Sequence, residues 1–303
     1  MEDKLKDRFG FFIDDFKLRI GSYIIDPVNN HSSLIQETVR LKHPDDRFYH
    51  PIVERYKVDP FTKKPIEKIP NTKKPAHLYR MPHTHIIYSE GNQPLPENFR
   101  QKDGALIIHL LAMLYKSRAQ FDGWLFDTPL PLKQDGIAVF NNSELEVVMN
   151  TVYGTFSTWK KDEQTRYINT LYLHSRSPAY RWEWEQFFME YIITDSLWKL
   201  FKILKSVSSN VRHSERIKEM CNQLGIMYKQ NEVDIIVTLR NDLFHEGLWD
   251  KVMPGCAPQT TDSLYAVFNL RRLNQRFFLA LAGVNSSFIK SDWTYKDMFA
   301  LYP

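Results

Sequence analysis

Apolar positions recur at two different spacings along the 303-residue chain, and the spacing changes just beyond the first hundred residues. Before Gly104 the apolar segments are short and alternating or β-branched, as in KLRIGSYIID at 17–26 and HTHIIYSE at 83–90, with prolines between them. Alternation of that kind predicts strands. After Gly104 the spacing is helical. ALIIHLLAMLYKSRAQF, 105–121, is apolar nearly all round and predicts a helix buried on every side. GWLFDTPLPL and QDGIAVFNN, 123–142, carry Pro and Gly at turn positions and predict a linker with a strand-like piece.

Six more helices follow from their caps and stops. Ser143 with Glu144 and Glu146 opens a helix at about 143–160, KDEQTRYINTLYLH makes a second at 161–174, and Pro178 precedes a long third at about 180–206. Ser214 caps a fourth that ends at Gly225, Glu232 begins a fifth that ends at Gly247, and Thr261 with Asp262 opens a sixth that closes at Gly283. The fold class expected is α+β: an amino-terminal β-containing region at 1–125, with no role assigned to it, followed by an all-α bundle at 142–303.

Composition narrows the function classes. A chain that is 43% hydrophobic, 14% aromatic and 25% charged has enough apolar surface for a packed core. A net charge of +4 is compatible with nucleic acid and falls short of establishing it. Two cysteines, Cys221 and Cys256, without metal-type spacing favour a reduced, cytoplasmic setting and disfavour a thiolate metal site. The charged start MEDKLKDRFG lacks the apolar core of a signal peptide, and the longest greasy stretch is too short to span a bilayer, so no membrane association is expected. No phosphate-loop, dinucleotide or α/β-hydrolase motif occurs.

The candidate chemistry lies in the fifth helix. Val233, Ile236, Val237 and Arg240 fall at i, i+3, i+4 and i+7, which places a guanidinium on the stripe that faces the bundle. On the third helix Trp184, Phe188, Tyr191, Asp195 and Trp198 form an aromatic stripe interrupted by a carboxylate, so a pairing of Asp195 with Arg240 is expected. Such a pair is equally consistent with a structural tie. His245 changes the balance. Residues five apart on an ideal helix point about 140° away from each other, so His245 meets Arg240 only where the helix distorts or ends, and Gly247 supplies an ending. Cation, amide (Asn241) and imidazole together suit phosphodiester chemistry: the imidazole exchanges protons near neutral pH while the guanidinium holds the phosphate. The bare R-x4-H spacing occurs twice. The other instance, RMPHTH from Arg80 to His85, contains a proline and lacks helical context.

The stretch RNDLFHEG, with Arg240, Asn241 and His245 in place, resembles the R-x(4–6)-H signature of the HEPN superfamily (higher eukaryotes and prokaryotes nucleotide-binding), and the resemblance covers 142–303 only. It implies a dimeric, metal-independent endoribonuclease of the kind found in toxin systems and in defence against phages, with the motifs of two subunits facing one another across a shared cleft. By that resemblance His245 is a general base or acid acting on the ribose 2′-hydroxyl, Arg240 binds the scissile phosphate, Asn241 orients substrate, and RNA is the partner, with no cofactor and no metal. Asp195 joins them from the helical stripe, as the residue that positions Arg240. Two alternatives stay open: a non-catalytic HEPN-like module that binds RNA or nucleotide or serves as a dimeric scaffold, and an unrelated helical protein with a buried ion pair.

Further residues have two readings each. His83 and His85, with His77 nearby, are a weak metal set or a surface strand. His109 in its apolar helix is a core histidine. The basic stretch 55–80, with Lys57, Lys63, Lys64, Lys73 and Lys74 and the sequence TKKP twice, is a solvated loop or a hairpin that touches phosphates. Arg271, Arg272 and Arg276 line an RNA groove or solvate an outer face. Tyr265, Phe268, Phe277 and Phe278 belong to the core or to a dimer interface. The amino-terminal region has no assigned role and leaves room for an unidentified protein or ligand partner.

Overall fold

The computed structural model describes residues 5–42, 47–48, 55–69, 82–115, 117–121, 130–131, 142–207, 211–256 and 260–294. The fold is α+β. The described elements begin with strands β1 (Lys6–Gly10), β2 (Leu18–Ile20) and β3 (Tyr23–Pro27), helix α1 (His31–Val39), and strands β4 (Arg47–Phe48), β5 (Arg55–Val58), β6 (Pro65–Ile69) and β7 (His85–Ser89). Helix α2 (Asp103–Leu114) and strands β8 (Gln120–Phe121) and β9 (Leu130–Pro131) follow. Then come α3 (Asn142–Ser157), α4 (Lys161–Arg176), α5 (Glu183–Leu204), α6 (His213–Leu224), α7 (Gln230–Asn241), α8 (Thr261–Leu281) and α9 (Ser287–Lys290).

Five strands make one antiparallel sheet in the order β2-β3-β7-β1-β8. Alternation sends Leu18, Ile20, Tyr23, Ile25, Ile87 and Phe9 into the core, as a half-buried sheet requires. The apolar helix expected at 105–121 is shorter: α2 stops at Leu114, and Gln120–Phe121 instead pairs with β1, Phe9 opposite Phe121. Edge pairing satisfies backbone groups that a continued helix would have left beside the sheet. Helix α2 is buried from Gly104 to Leu114 because it packs on α3 and α4 and meets Phe121 of the sheet at Gly104. A Cβ at Gly104 would lie 2.7 Å from the rings of Phe99 and Phe121, so glycine permits this close approach.

The hydrophobic core runs without a break from the sheet through α2 into the bundle. Asn150 of α3 reinforces the join: its amide donates to the Arg19 carbonyl at 2.7 Å and accepts from the Gly21 N–H at 2.9 Å. Tyr23 and Tyr153 both donate to Asp103 Oδ2. The linker segments 122–129 and 132–141 and His77 lie outside the described residues. The DPFTKKP turn joins β5 to β6, with Asp59 Oδ1 accepting from the N–H groups of Phe61 and Thr62.

The helical half follows the punctuation closely. Gly225 and Gly283 close α6 and α8 with positive φ. At its centre, the Glu190 carboxylate of α5 is fully buried between α4 and α8. It accepts from His174 Nδ1 at 2.9 Å, Arg271 at 2.9 Å and the Asn274 amide at 3.0 Å. Burial alone would raise this carboxyl, but the donors around it, with the Arg271 charge, outweigh that and hold it below the usual carboxylate range. Burial pushes His174 below its ordinary value, so the neutral ring donates through Nδ1.

The arginines of α8 therefore neither line a groove nor solvate a face. Arg271 serves Glu190 and the His174 carbonyl, and Arg276, 1% exposed, donates to Ser291 and to the Asp292 carbonyl. Arg272 donates to the Thr294 carbonyl. Phe277 and Phe278 are core, whereas Phe268 is exposed. His109 is a core residue, as expected. His85 is not on a surface strand. It is fully buried, stacked 4.1 Å from Phe16 and bonded to Thr84 Oγ1 at 3.0 Å. Among the described residues no cluster of His, Cys, Asp or Glu could hold a metal ion, and no helix is long and apolar enough to cross a membrane.

Two stability predictions follow from these buried charges. Glu190→Leu strands the Arg271 guanidinium and is expected to cost about 3–5 kcal/mol in urea denaturation, with much of the loss recovered when Arg271→Leu is added. Burial, helped by His31, pushes His85 down to about 3, so the folded chain resists a proton that the unfolded chain accepts near its ordinary histidine value. Stability should therefore fall on acidification between about pH 6 and 4, and His85→Phe should remove about 1.4 kcal/mol per pH unit of that slope.

Candidate active site

The site forms where α7 ends. Asp242–Glu246 is a single π turn rather than a continuation of the α-helix. The N–H groups of Gly247 and Leu248 both reach back to the Asp242 carbonyl, and Gly247 adopts φ +66°. Trp249, 1% exposed and packed 5.1 Å from Phe187, anchors the chain just beyond. The wider turn brings residue i+5 beneath residue i. His245 Nε2 consequently sits 2.9 Å from Arg240 NH1, and the same NH1 lies 3.1 Å from Asn241 Oδ1. The spacing that an α-helix would send to opposite sides is closed by one local distortion.

A guanidinium donates and never accepts, so in this contact Nε2 of His245 is the acceptor and its ring proton is on Nδ1. Arg240 is half-buried and lies over Phe244 at 4.9 Å and Tyr191 at 5.7 Å. Its Nε is buried without a hydrogen-bond partner, and no carboxylate of the described residues lies within ion-pair distance of it. Asn241 and His245 are exposed, as are the stacked rings of Phe188 and Phe244, 4.8 Å apart.

Asp195 does not make the expected contact with Arg240. Its Oδ1 accepts from Arg216 of α6 at 3.0 Å and lies 3.6 Å from His213 Nδ1. The reason is the order of packing: α6 lies against α5 and presents an arginine that reaches this carboxylate first. Arg240 instead stands over Tyr191, one turn before Asp195. Arg216 NH1 also lies 3.1 Å from His213 Nδ1. His213 and Arg216 were missed in the sequence. An H-x-x-R pair on one helix face was the available signal, and nothing in it marked which helix α6 would face.

Of the expected site residues, the structure thus brings Arg240, Asn241 and His245 into direct contact and places Asp195 a turn along α5 beside a second Arg–His pair. A cleft of about 420 Å³ between the start of α3 and the turn before α9 contains none of them. No protein family, curated protein or solved structure matches the chain in comparison with known proteins.

Gly247 carries the turn. A Cβ there meets nothing, so only backbone strain opposes substitution. Gly247→Ala should cost about 1 kcal/mol in thermal or chemical denaturation, and Gly247→Asn less, because Asn tolerates the left-handed conformation.

Proposed function

We propose that the chain is a metal-independent endoribonuclease of the HEPN type, with Arg240 and His245 at its centre. The observation that supports it best is the 2.9 Å approach of the two side chains across the π turn, with a guanidinium that carries no carboxylate partner among the described residues. A half-buried cation held by an imidazole and two rings is ready for an external anion. When a phosphodiester takes the guanidinium, Nε2 of His245 is released for proton transfer.

In this reading Arg240 binds the scissile phosphate and stabilises charge on the pentacoordinate transition state, Asn241 orients substrate, and His245 moves a proton during attack by the 2′-hydroxyl, leaving a 2′,3′-cyclic phosphate. Phe188 and Phe244, stacked on each other and partly exposed, stand beside the site as an apolar surface for a neighbouring base. The open face that carries the motif suits a homodimer in which a second copy completes the cleft. A toxin or anti-phage effector acting in the cytoplasm belongs to the same reading, with the amino-terminal region recruiting an unidentified protein or ligand.

Incubation of the full chain with single-stranded RNA in EDTA tests this. Cleavage with cyclic-phosphate ends is expected, falling about 10²–10⁴-fold in His245→Ala and about 10²–10³-fold in Arg240→Ala, with circular dichroism unchanged. Retention of RNA without cleavage would assign the site to a non-catalytic HEPN-like binding role. Cleavage equal in all three proteins would remove the motif from the chemistry.

A further inference from the structure

We infer that His213 is a second proton-transfer residue of the same site, the general base that takes the 2′-hydroxyl proton, with Asp195 as the residue that positions it. The inference rests on the ribonuclease reading above and assigns the half of the reaction that His245 alone does not supply.

Two Arg–His pairs stand side by side on neighbouring helices. In each, a guanidinium NH1 donates to an imidazole nitrogen: Arg240 to His245 at 2.9 Å and Arg216 to His213 at 3.1 Å. In each, the arginine Nε is buried without a partner. The pairs are bridged by α5, whose Tyr191 lies under Arg240 and whose Asp195, four residues on, holds Arg216. Four residues of helix is about 6 Å, so the two residues of α5 that meet these pairs are one helical turn apart. A carboxylate 3.6 Å from His213 Nδ1 is the one feature the first pair lacks.

That carboxylate distinguishes the roles. In the resting contact Nδ1 accepts from Arg216, so the ring proton of His213 is on Nε2; when a phosphodiester draws Arg216 away, exchange with water moves that proton to Nδ1, Asp195 accepts it, and the lone pair at Nε2 is freed, the arrangement of an imidazole base backed by a carboxylate. The charged and titratable groups around His213 are Asp195 on α5, Arg216 on its own helix, and Arg240 and His245 from the end of α7. Burial, with the guanidiniums of Arg216 and Arg240 beside it, pushes its pKa down against the pull of Asp195, which keeps the ring neutral and able to accept. In the step itself, O2′ attacks phosphorus and its proton passes to Nε2 of His213. The O2′–P bond forms and the P–O5′ bond breaks. O5′ takes a proton from His245, which has been protonated by solvent after release from Arg240. The products are a 2′,3′-cyclic phosphate and a 5′-hydroxyl, and exchange with water returns both rings to their starting states.

The experiment uses the full chain and a short single-stranded RNA, its 2′-deoxy counterpart, and the same RNA with sulfur at the 5′ bridging position, whose thiolate departs without a proton. His213→Ala should lower kcat/KM at least 10²-fold, abolish the acidic limb of the pH profile and gain nothing from the sulfur substrate. His245→Ala should lose the alkaline limb and recover on that substrate. Asp195→Asn keeps both imidazoles and both arginines should the alanine variant fail to fold. It should move the acidic limb to lower pH, because the imidazolium loses its carboxylate, and a merely structural tie would leave that limb in place. Wild-type kcat/KM and both limbs in His213→Ala overturn the inference, as does recovery of that variant on the sulfur substrate. Titration with the 2′-deoxy RNA, followed by the histidine C2–H resonances, separates the two levels of failure. Shifts at both His213 and His245 are expected. A shift at His245 alone overturns the role of His213 and leaves the nuclease reading intact, and no shift at either overturns both.

Discussion

The Glu190 carboxylate fixes the helix on which everything else is arranged. It is buried, it accepts from α4 and from two residues of α8, and in doing so it sets both the rotation and the height of α5. An ion buried this deeply is tolerable only because both carboxylate oxygens find donors. Its consequence is felt on the opposite side of α5. With Glu190, Ile193 and Leu197 turned inward, Phe188, Tyr191 and Asp195 are presented to α6 and the end of α7. The polar core network and the candidate site are two faces of one helix, and neither can be rotated without losing the other.

Much of this was legible in the sequence, for local reasons. Helix boundaries are set by caps, by Pro178 and by glycines at positive φ, all of which act within a few residues, so α3 to α8 end close to where the sequence ends them. The distortion between Arg240 and His245 was required by geometry once the two residues were taken as partners, and Gly247 marked where it would finish. What escaped depended on neighbours distant in sequence. Gln120 and Phe121 leave the helical pattern because a strand edge 110 residues earlier needs a partner. Asp195 pairs with Arg216 rather than Arg240 because α6, not α7, reaches that part of α5. Arg271 and Arg276 look like surface cations by composition, yet one neutralises a buried carboxylate and the other ties α8 to the segment that follows it.

The electrostatics of the site follow from the same division. Where a cation's charge is satisfied inside the protein, as at Arg271, it has structural work and no capacity left for a ligand. Arg240 is in the opposite condition: its neighbours are an imidazole, an amide and two ring faces, none of which carries a compensating negative charge. Aromatic faces stabilise a cation by about 0.5–2 kcal/mol without neutralising it, so the positive potential remains available outside the protein. Arg216 stands between these limits, since Asp195 satisfies part of its charge while its Nε stays unpartnered. The graded sequence from Arg271 through Arg216 to Arg240 runs from the core to the open face. The least compensated of the three charges is Arg240, with the exposed His245 ring already in contact.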